Sequence, residues 1–243
     1  DYYKFTPSVT FGATTLKGQT VAAITASNDA GAGIQYNISS VIFKTVGDVV
    51  ITDNFAKEDL VIHAIDAGNR GLFVWNANNN YVTTNSFVTP ATTSPSIQRG
   101  IDAASATWTV NIGPGTFNEN VALNKSLTVN GQGPTLTILT PGTACTGTGV
   151  DITAANAKVK DLKVTNYLKG ITVSAAYNEI NNVDMVSNCT YGMEMYLGTA
   201  NLNVLNSKIN NNPTGFRKGS GVSVDGFLME NCEVKGSTVQ GCY

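Results

Sequence analysis

Gly149-Val150-Asp151-Ile152, Gly170-Ile171-Thr172-Val173, Gly192-Met193-Glu194-Met195 and Gly221-Val222-Ser223-Val224 repeat one template, glycine–apolar–polar–apolar, at successive offsets of 21, 22 and 29 residues. Between them a second template recurs as Leu162-Lys163-Val164, Val183-Asp184-Met185, Leu205-Asn206-Ser207 and Met229-Glu230-Asn231, at offsets of 21, 22 and 24. Two series in phase, with a period of ~22 residues, mark a repeat architecture. Each repeat holds only three-residue alternating strands. These are too short for a hairpin meander but fit one coil of a parallel β-helix, a single-stranded solenoid. Each coil turns its alternate apolar residues inward and hydrogen-bonds to the coils above and below, ~4.8 Å away. Polar residues then stack outside, and Lys163, Asp184, Asn206 and Glu230 are expected to share one column. Asn166, Asn188 and Asn210 are expected to form an inward ladder that satisfies turn backbone groups. The extra residues of the last interval, Asn211 to Gly219, are expected to bulge as a loop. A leucine-rich repeat needs denser, regularly spaced leucines, which the chain lacks.

Upstream of the repeats, Ser96 precedes Ile97-Gln98-Arg99-Gly100-Ile101-Asp102-Ala103-Ala104, with Ile97, Ile101 and Ala104 at helical spacing and Ser96 as N-cap. Thr109-Val110-Asn111-Ile112, Leu127-Thr128-Val129 and Leu136-Thr137-Ile138-Leu139 follow as short strands. Residues 1–92 read as a small β-rich module with runs at Val41-Ile42-Phe43, Val49 to Thr52, Leu60-Val61-Ile62 and Leu72 to Trp75, and no persistent helical period. Thr89 to Pro95 carries two prolines and reads as a linker. The expected division is therefore 1–92 and 93–243, and the expected class is all-β.

Composition removes several functions. Among 243 residues, 42% are hydrophobic, enough for an extended core, while only 13% are charged. The polar part is neutral, with 30 Thr, 27 Asn and 24 Gly. A net charge of −2, with 12 Lys and 3 Arg, cannot supply the phosphate-neutralising footprint of a nucleic-acid partner. No apolar run reaches ~18 residues, so no membrane insertion is expected. The opening Asp1-Tyr2-Tyr3-Lys4 carries no signal peptide and no Met, and reads as processed or as a fragment. Cys145, Cys189, Cys232 and Cys242 form no Cys-x-x-Cys pair and are accompanied by one histidine, which argues against a metal site. Buried thiols and disulfides both remain open for them. No cofactor is expected; Gly131-Gln132-Gly133 is half of a phosphate loop, without the helix that should follow.

Ile97 to Ala104, followed by Gly113-Pro114-Gly115-Thr116-Phe117-Asn118-Glu119-Asn120-Val121, resembles the opening of the pectin-lyase-like right-handed parallel β-helices. That opening has a capping helix, a strand, then Gly-x-aromatic-x-Glu-Asn-Val, and pectinesterases, NosD-type proteins and many phage tailspikes share it. The resemblance covers residues 96–243 and speaks to fold more than to chemistry. Asp66-Ala67-Gly68-Asn69-Arg70-Gly71-Leu72-Phe73-Val74-Trp75-Asn76 is similar to the Gly-rich aromatic segment ahead of the β-helix in viral tailspikes and tail-fibre-type proteins, departing from the usual glycine run at Asn69-Arg70.

The catalytic signatures of the family's enzymes are not matched. The chain has no Asp-Asp and no Gly-His-Gly, its one histidine, His63, lies in the apolar run Val61 to Ile65, and Arg217 has no acid cluster around it in sequence. If the chain is an enzyme, Asp184 and Glu230 are the pair expected on one outer column, with Asp151 and Glu194 related the same way on another face. Separations of ~6.5–9.5 Å suit inverting glycoside hydrolysis. Glu119 reads as a structural acid. Asn37, Asn124 and Asn188 head glycosylation triplets, which matter only in a secreted eukaryotic setting. Tyr167, Tyr177, Tyr191 and Tyr196 fall near coil turns as flat amphipathic groups able to stack on sugars.

The reading that follows is a non-enzymatic surface or virion protein, tail-fibre- or spike-like, presenting a rigid β-helix to a cell-surface polysaccharide. Tyr191, Tyr196, Arg217 and Lys218 are its candidate ligand-binding residues, a homotrimer is implied by the tailspike resemblance, and the location is extracellular or on the virion surface. A carbohydrate-active lyase, hydrolase or esterase and an extracellular filament subunit are the alternatives.

Overall fold

The computed structural model describes residues 12–19, 22–26, 33–222 and 225–237, with backbone alone at 240–242. The last two residues of the Gly221 template, Ser223 and Val224, lie outside the described residues, as does the chain's opening. The protein is mostly β, 43% strand and 6% helix, and its sheets are parallel. It divides into two compact units, residues 1–111 and 112–243. No helix among the described residues is long and apolar enough to cross a membrane.

In the first unit three parallel pairs are made across the sequence: Thr14–Lys17 with Val41–Lys44, Ile24–Thr25 with Val61–Ile62, and Gln35–Asn37 with Leu72–Val74. They enclose a core of Ala26, Ile38, Val41, Phe43, Val61 and Phe73. The expected helix is present as Ile97–Ala103, with the Ser96 hydroxyl accepting from the Arg99 amide at 3.2 Å and with Ile97, Ile101 and Ala104 buried. A second helix, Asn54–Glu58, stands in the module where no persistent helical period was expected. Its N-cap is Asp53, whose carboxylate accepts from the Phe55 amide at 3.0 Å. Five residues are too few to set up a helical period, so the cap was its only sequence signal. Val49 to Thr52 is not a strand; Val50 makes a single antiparallel bridge to Lys44.

In the second unit the strands stack in three parallel series. One runs through Val121–Leu123, Thr146–Ile152, Tyr167–Val173, Tyr191–Met195, Thr214–Lys218 and Gln240–Cys242. Its inward row is Val121, Val150, Ile171, Met193 and Phe216, all buried. The second series joins Thr128–Asn130 to Lys158, Val159 and Lys160, then to Glu179, Ile180 and Asn181, Asn203–Leu205 and Leu228–Glu230. The third begins with Gly115–Asn118 and Thr137–Thr140, passes through the later halves of Lys158–Thr165 and Glu179–Val186, and ends at Lys208–Asn210 and Glu233–Lys235.

The corners between these series follow one backbone rule. Asn156, Tyr177, Asn201 and Gly226 have positive φ; so do Asp161, Asn182, Asn206 and Asn231, and so do Asn166, Ser187, Asn211 and Gly236. Each repeat therefore turns at three left-handed residues spaced five apart, each set followed by the equivalent set of the next repeat. Asn, Asp and Gly tolerate this region best, and seven of these twelve corners are Asn.

Three sequence expectations are corrected by the register. The fourth member of the glycine series is Gly215, not Gly221: Phe216 lies in register with Met193 and fills the inward site, so residues 214–218 form a strand rather than a bulged loop. Val222 is buried but lies outside any strand. The column through Lys163 and Asp184 continues to Lys208 and Glu233, whereas Glu230 lies in the row of Asn181 and Leu205. The cause is extra residues around Gly198, which lengthen the step between equivalent corners from 21 residues (Asp161 to Asn182) to 24 (Asn182 to Asn206), so that Asn206 is a corner and Lys208 the partner of Asp184. The inward ladder is made by Asn188 and Asn212. Asn188 accepts from the Tyr167 amide at 3.1 Å and donates to the Val164 carbonyl at 3.2 Å, while Asn212 accepts from the Asn188 amide at 2.8 Å and donates to Met185 at 2.9 Å. Asn166 is a corner residue, and Asn210 binds the Glu233 carboxylate and the Lys235 amide. Buried and fully engaged, Asn188 is closed to glycosylation in the folded chain, while Asn37 and Asn124 are exposed.

Gly149, Gly170, Gly192 and Gly215 sit at successive levels of the first series, and a methyl on Gly192 would lie 2.6 Å from both the Gly215 carbonyl and the Asn212 amide nitrogen. Gly192→Ala is therefore expected to destabilise the chain by about 1–3 kcal/mol in urea denaturation, and Gly142→Ala, where nothing lies within 4 Å, to change it by less than about 0.5 kcal/mol. Cys145 and Cys189 form a disulfide across 44 residues. Closing a loop of that length is worth about 4 kcal/mol in the chain-entropy account. Replacing both cysteines by serine should lower the stability of the second unit by 2–4 kcal/mol on the same scale, read by amide exchange in that unit.

Candidate functional site: an ion and tyrosine cluster on a parallel sheet

Strand alternation decides which residues leave the first series of the second unit outward. With Ile171, Val173, Met193 and Met195 inward, alternation turns Thr172 and Glu194 out; Lys169 and Tyr191 share the inward parity, but at the strand starts alternation gives way, both are half-exposed, and Lys169 reaches Glu194. The register then fixes the neighbours: Thr172, Glu194 and Arg217 form one row, and Lys169 lies beside Tyr191. Lys169 Nζ lies 2.7 Å from Glu194 Oε2, the Tyr196 hydroxyl donates to the same oxygen at 2.6 Å, and Arg217 Nη1 pairs with Oε1. Lys169 also donates to the Tyr196 hydroxyl at 2.5 Å. Its ammonium and the Arg217 guanidinium both face the Tyr191 ring, 5.9 and 5.0 Å from its centroid. The Glu194 side chain is 1% accessible, against 26% for Lys169 and 39% for Arg217, so the carboxylate is sealed beneath its own partners.

The electrostatics of this cluster are one-directional. Burial works to raise the Glu194 pKa, but hydrogen bonds from Lys169 and Tyr196 and the two cationic charges outweigh it and hold it below the usual carboxylate range. Burial works to lower Lys169, and Glu194 and Tyr196 more than reverse that. Tyr196 is raised by burial and by Glu194. Acid–base catalysis needs a group that titrates near the working pH; here each shift moves a group further from it. Glu194 and Lys169 are thereby held ionised and Tyr196 protonated.

The candidate binding residues Tyr191, Tyr196 and Arg217 are thus brought together. Lys218 lies at the exposed end of the same strand, in register with Met195. Lys169, which ties the group together, was missed by sequence reading, and Glu194 was noticed only as half of a spaced acid pair. The signal that finds both is the step of 21 to 23 residues, once Arg217 is put in phase with them. The other member of that pair, Asp151, accepts from the Thr172 hydroxyl at 2.6 Å in the same row, two strands away. Asp184 is paired with Lys208 at 3.6 Å, and Glu230 is exposed one row system away. Two strand spacings already separate them by ~10 Å at the backbone, and the three-residue offset adds to it, so they do not face each other across one column. The Glu119 carbonyl accepts the buried Tyr167 hydroxyl, and Tyr177 is exposed at a corner.

A second charged cluster lies inside the first unit. Glu58, His63 and Asp66 are all buried, with ligand-type atoms within 4.8 Å of one another. His63 Nδ1 accepts the Phe73 amide at 3.0 Å, which puts the ring proton on Nε2, and Nε2 donates to Glu58 at 3.0 and 3.1 Å. The ring stacks on Phe73 at 5.9 Å. Ser86 donates to Glu58 at 3.1 Å, and the Asp66 carboxylate accepts the His63 amide at 2.8 Å. A cation here would have to displace the Nε2 proton. The geometry is that of a structural histidine, and its carboxylate partner, Glu58, closes the short helix. Burial opposes an imidazolium, the Glu58 carboxylate favours one, and the balance raises the His63 pKa; a second ring proton, however, would break the Phe73 bond. Comparison of the chain with family models, with curated proteins and with solved structures returns no match.

Asp66 is pushed up to about 7 by burial and the Glu58 charge, against the opposing pull of His63 and Arg99. The unfolded value is ~4. Between the two, the folded chain holds a proton that the unfolded chain has lost, so this stabilisation is complete below ~pH 4 and lost as pH rises through about 7. Asp66→Asn keeps an oxygen for the His63 amide and removes the titration. Wild type is expected to lose stability relative to this variant as pH rises from about 4 to about 7, with little further change above that. Tryptophan fluorescence in urea would show it, because Trp75 and Trp108 both lie in the first unit.

Proposed function

We propose that residues 112–243 wind as a right-handed parallel β-helix, and that the chain is a non-enzymatic attachment protein of the tail-fibre or spike kind. In this reading it stands on a virion or other extracellular surface as a homotrimer and binds a cell-surface polysaccharide. Three parallel series advancing in one register, with three left-handed corners in each repeat, support the winding. The Cys145–Cys189 disulfide supports an oxidising, extracellular setting. The virion and the trimer rest on the tailspike resemblance of the Asp66–Asn76 segment.

The observation that carries binding over catalysis is the Glu194 cluster. Tyrosines and fixed hydrogen-bond donors stand on an outward face, and every resolved pKa shift there runs away from neutrality. Rigid aromatic and charged groups on a stiff sheet recognise a ligand at little entropic cost. The reading requires no cofactor, nucleic acid or membrane insertion.

A panel of immobilised polysaccharides tests it. The protein should be retained by at least one of them without shortening it, and Arg217→Ala should weaken retention about tenfold, or about 1.4 kcal/mol. Light scattering should give the mass of three chains. Shortened polysaccharide, abolished in Asp184→Asn, would establish the carbohydrate-active alternative instead, and polymers seen in electron micrographs would establish the filament.

A further inference from the structure

We infer that the surface around Lys169, Glu194, Tyr196 and Arg217 selects uncharged sugars and rejects carboxylated or sulfated ones, with Glu194 as the residue that sets this specificity; the inference rests on the carbohydrate-binding reading above. Two cations and two tyrosines on an outward face would ordinarily read as a site for an acidic sugar. Here the anion is already supplied by the chain. Glu194 is delivered between Lys169 and Arg217 by the backbone register, and both of its oxygens are engaged, one by Arg217 and the other by Lys169 at 2.7 Å and Tyr196 at 2.6 Å.

An anionic ligand would have to take those cations from a carboxylate held in place by the fold. It would leave Glu194 sealed, 1% accessible and stripped of its counter-charges, beside a second anion. An uncharged hydroxyl makes no such demand. The guanidinium of Arg217 has five N–H donors in a fixed fork, and among the described residues Glu194 is its one charge partner. Remaining donors can therefore serve sugar hydroxyl oxygens while the ion pair stays intact. The apolar platform is beside them. Tyr196 is 36% and Leu197 76% exposed, and the Tyr196 hydroxyl is tied down between Lys169 and Glu194, which sets the ring's direction. Tyr191 contributes less surface, because Lys169 and Arg217 already face its ring.

The test uses the full chain, an uncharged galactan and polygalacturonate, at 20 and 150 mM NaCl. Wild type is expected to bind the galactan, with little change between the two salt concentrations, and polygalacturonate at tenfold excess is expected not to compete. Glu194→Gln keeps the shape and frees two positive charges; it should gain at least tenfold in polygalacturonate binding, and the gain should vanish at the higher salt. Polygalacturonate binding by wild type at or above the galactan level would overturn the inference while leaving the carbohydrate reading intact. So would a folded Glu194→Gln protein, verified by circular dichroism, with an unchanged ratio. The competition arm needs no variant. Failure of wild type to bind any member of the wider polysaccharide panel would remove the carbohydrate reading itself.

Discussion

In a parallel, in-register stack each residue meets the corresponding residue of the strands before and after it, ~4.8 Å away. A position is therefore chosen by its row, not by its immediate sequence neighbours. Gly170 and Gly192 have no side chain because the next carbonyl in the row occupies that space. Asn188 and Asn212 are successive members of one ladder, each satisfying backbone that its own repeat leaves open. The left-handed corners recur because one corner that failed to turn would throw every later strand out of register. The ordinary apolar row of Val150, Ile171, Met193 and Phe216 is less demanding, since residues of different shape succeed one another there.

The two charged clusters answer the same constraint differently. Around His63, polar groups enter a closed interior, and the Phe73 amide keeps the imidazole from needing a second proton. The network is complete within the unit, with Ser86 on Glu58 and the Arg99 guanidinium on the carbonyls of Ile65, Ser86 and Ser94. Around Glu194 the same kinds of group are set on the outside of a sheet, with cations supplied by the strands on either side. One arrangement is sealed and mechanical; the other leaves donors and an aromatic edge in reach of solvent.

Much of the second unit's layout was legible because its period is expressed in residue types with strong backbone preferences. Glycine before an apolar–polar–apolar triplet marked the first three levels, and Leu162–Val183 and Val150–Ile171–Met193 align as read. The reading slipped where two candidates competed for one level. Gly221-Val222 imitates the template better by composition, yet Gly215-Phe216 occupies it, because a large buried side chain is worth more than a matched pattern. Leu205 looked like the partner of Val183, but Asn206 turns the chain there, so Val204 and Ile209 go inward instead. The Glu194 cluster was half legible. Its tyrosines and arginine drew notice as single residues, but their meeting depends on register at a level the pattern had misplaced. The Glu58–His63 pair was invisible, because a five-residue helix leaves no periodic trace.

The corrected charge row shows what the register is protected by. Lys163, Asp184, Lys208 and Glu233 follow one another at successive levels with alternating sign. The row first expected, ending in Asn206 and Glu230, would have had no such alternation. Like charges stacked at the strand spacing repel, and opposite charges attract, by amounts comparable to other cross-strand pairs. Sliding one strand by two residues preserves the inward apolar face, so the core alone discriminates weakly against it. The same slide moves Lys208 out of line with Asp184 and Arg217 out of line with Glu194. In a chain with 13% charged residues, placing several of them in sign-matched rows adds little to stability, since exposed pairs contribute about 0–1 kcal/mol. It adds more to uniqueness of register, on which the geometry of the outward cluster depends.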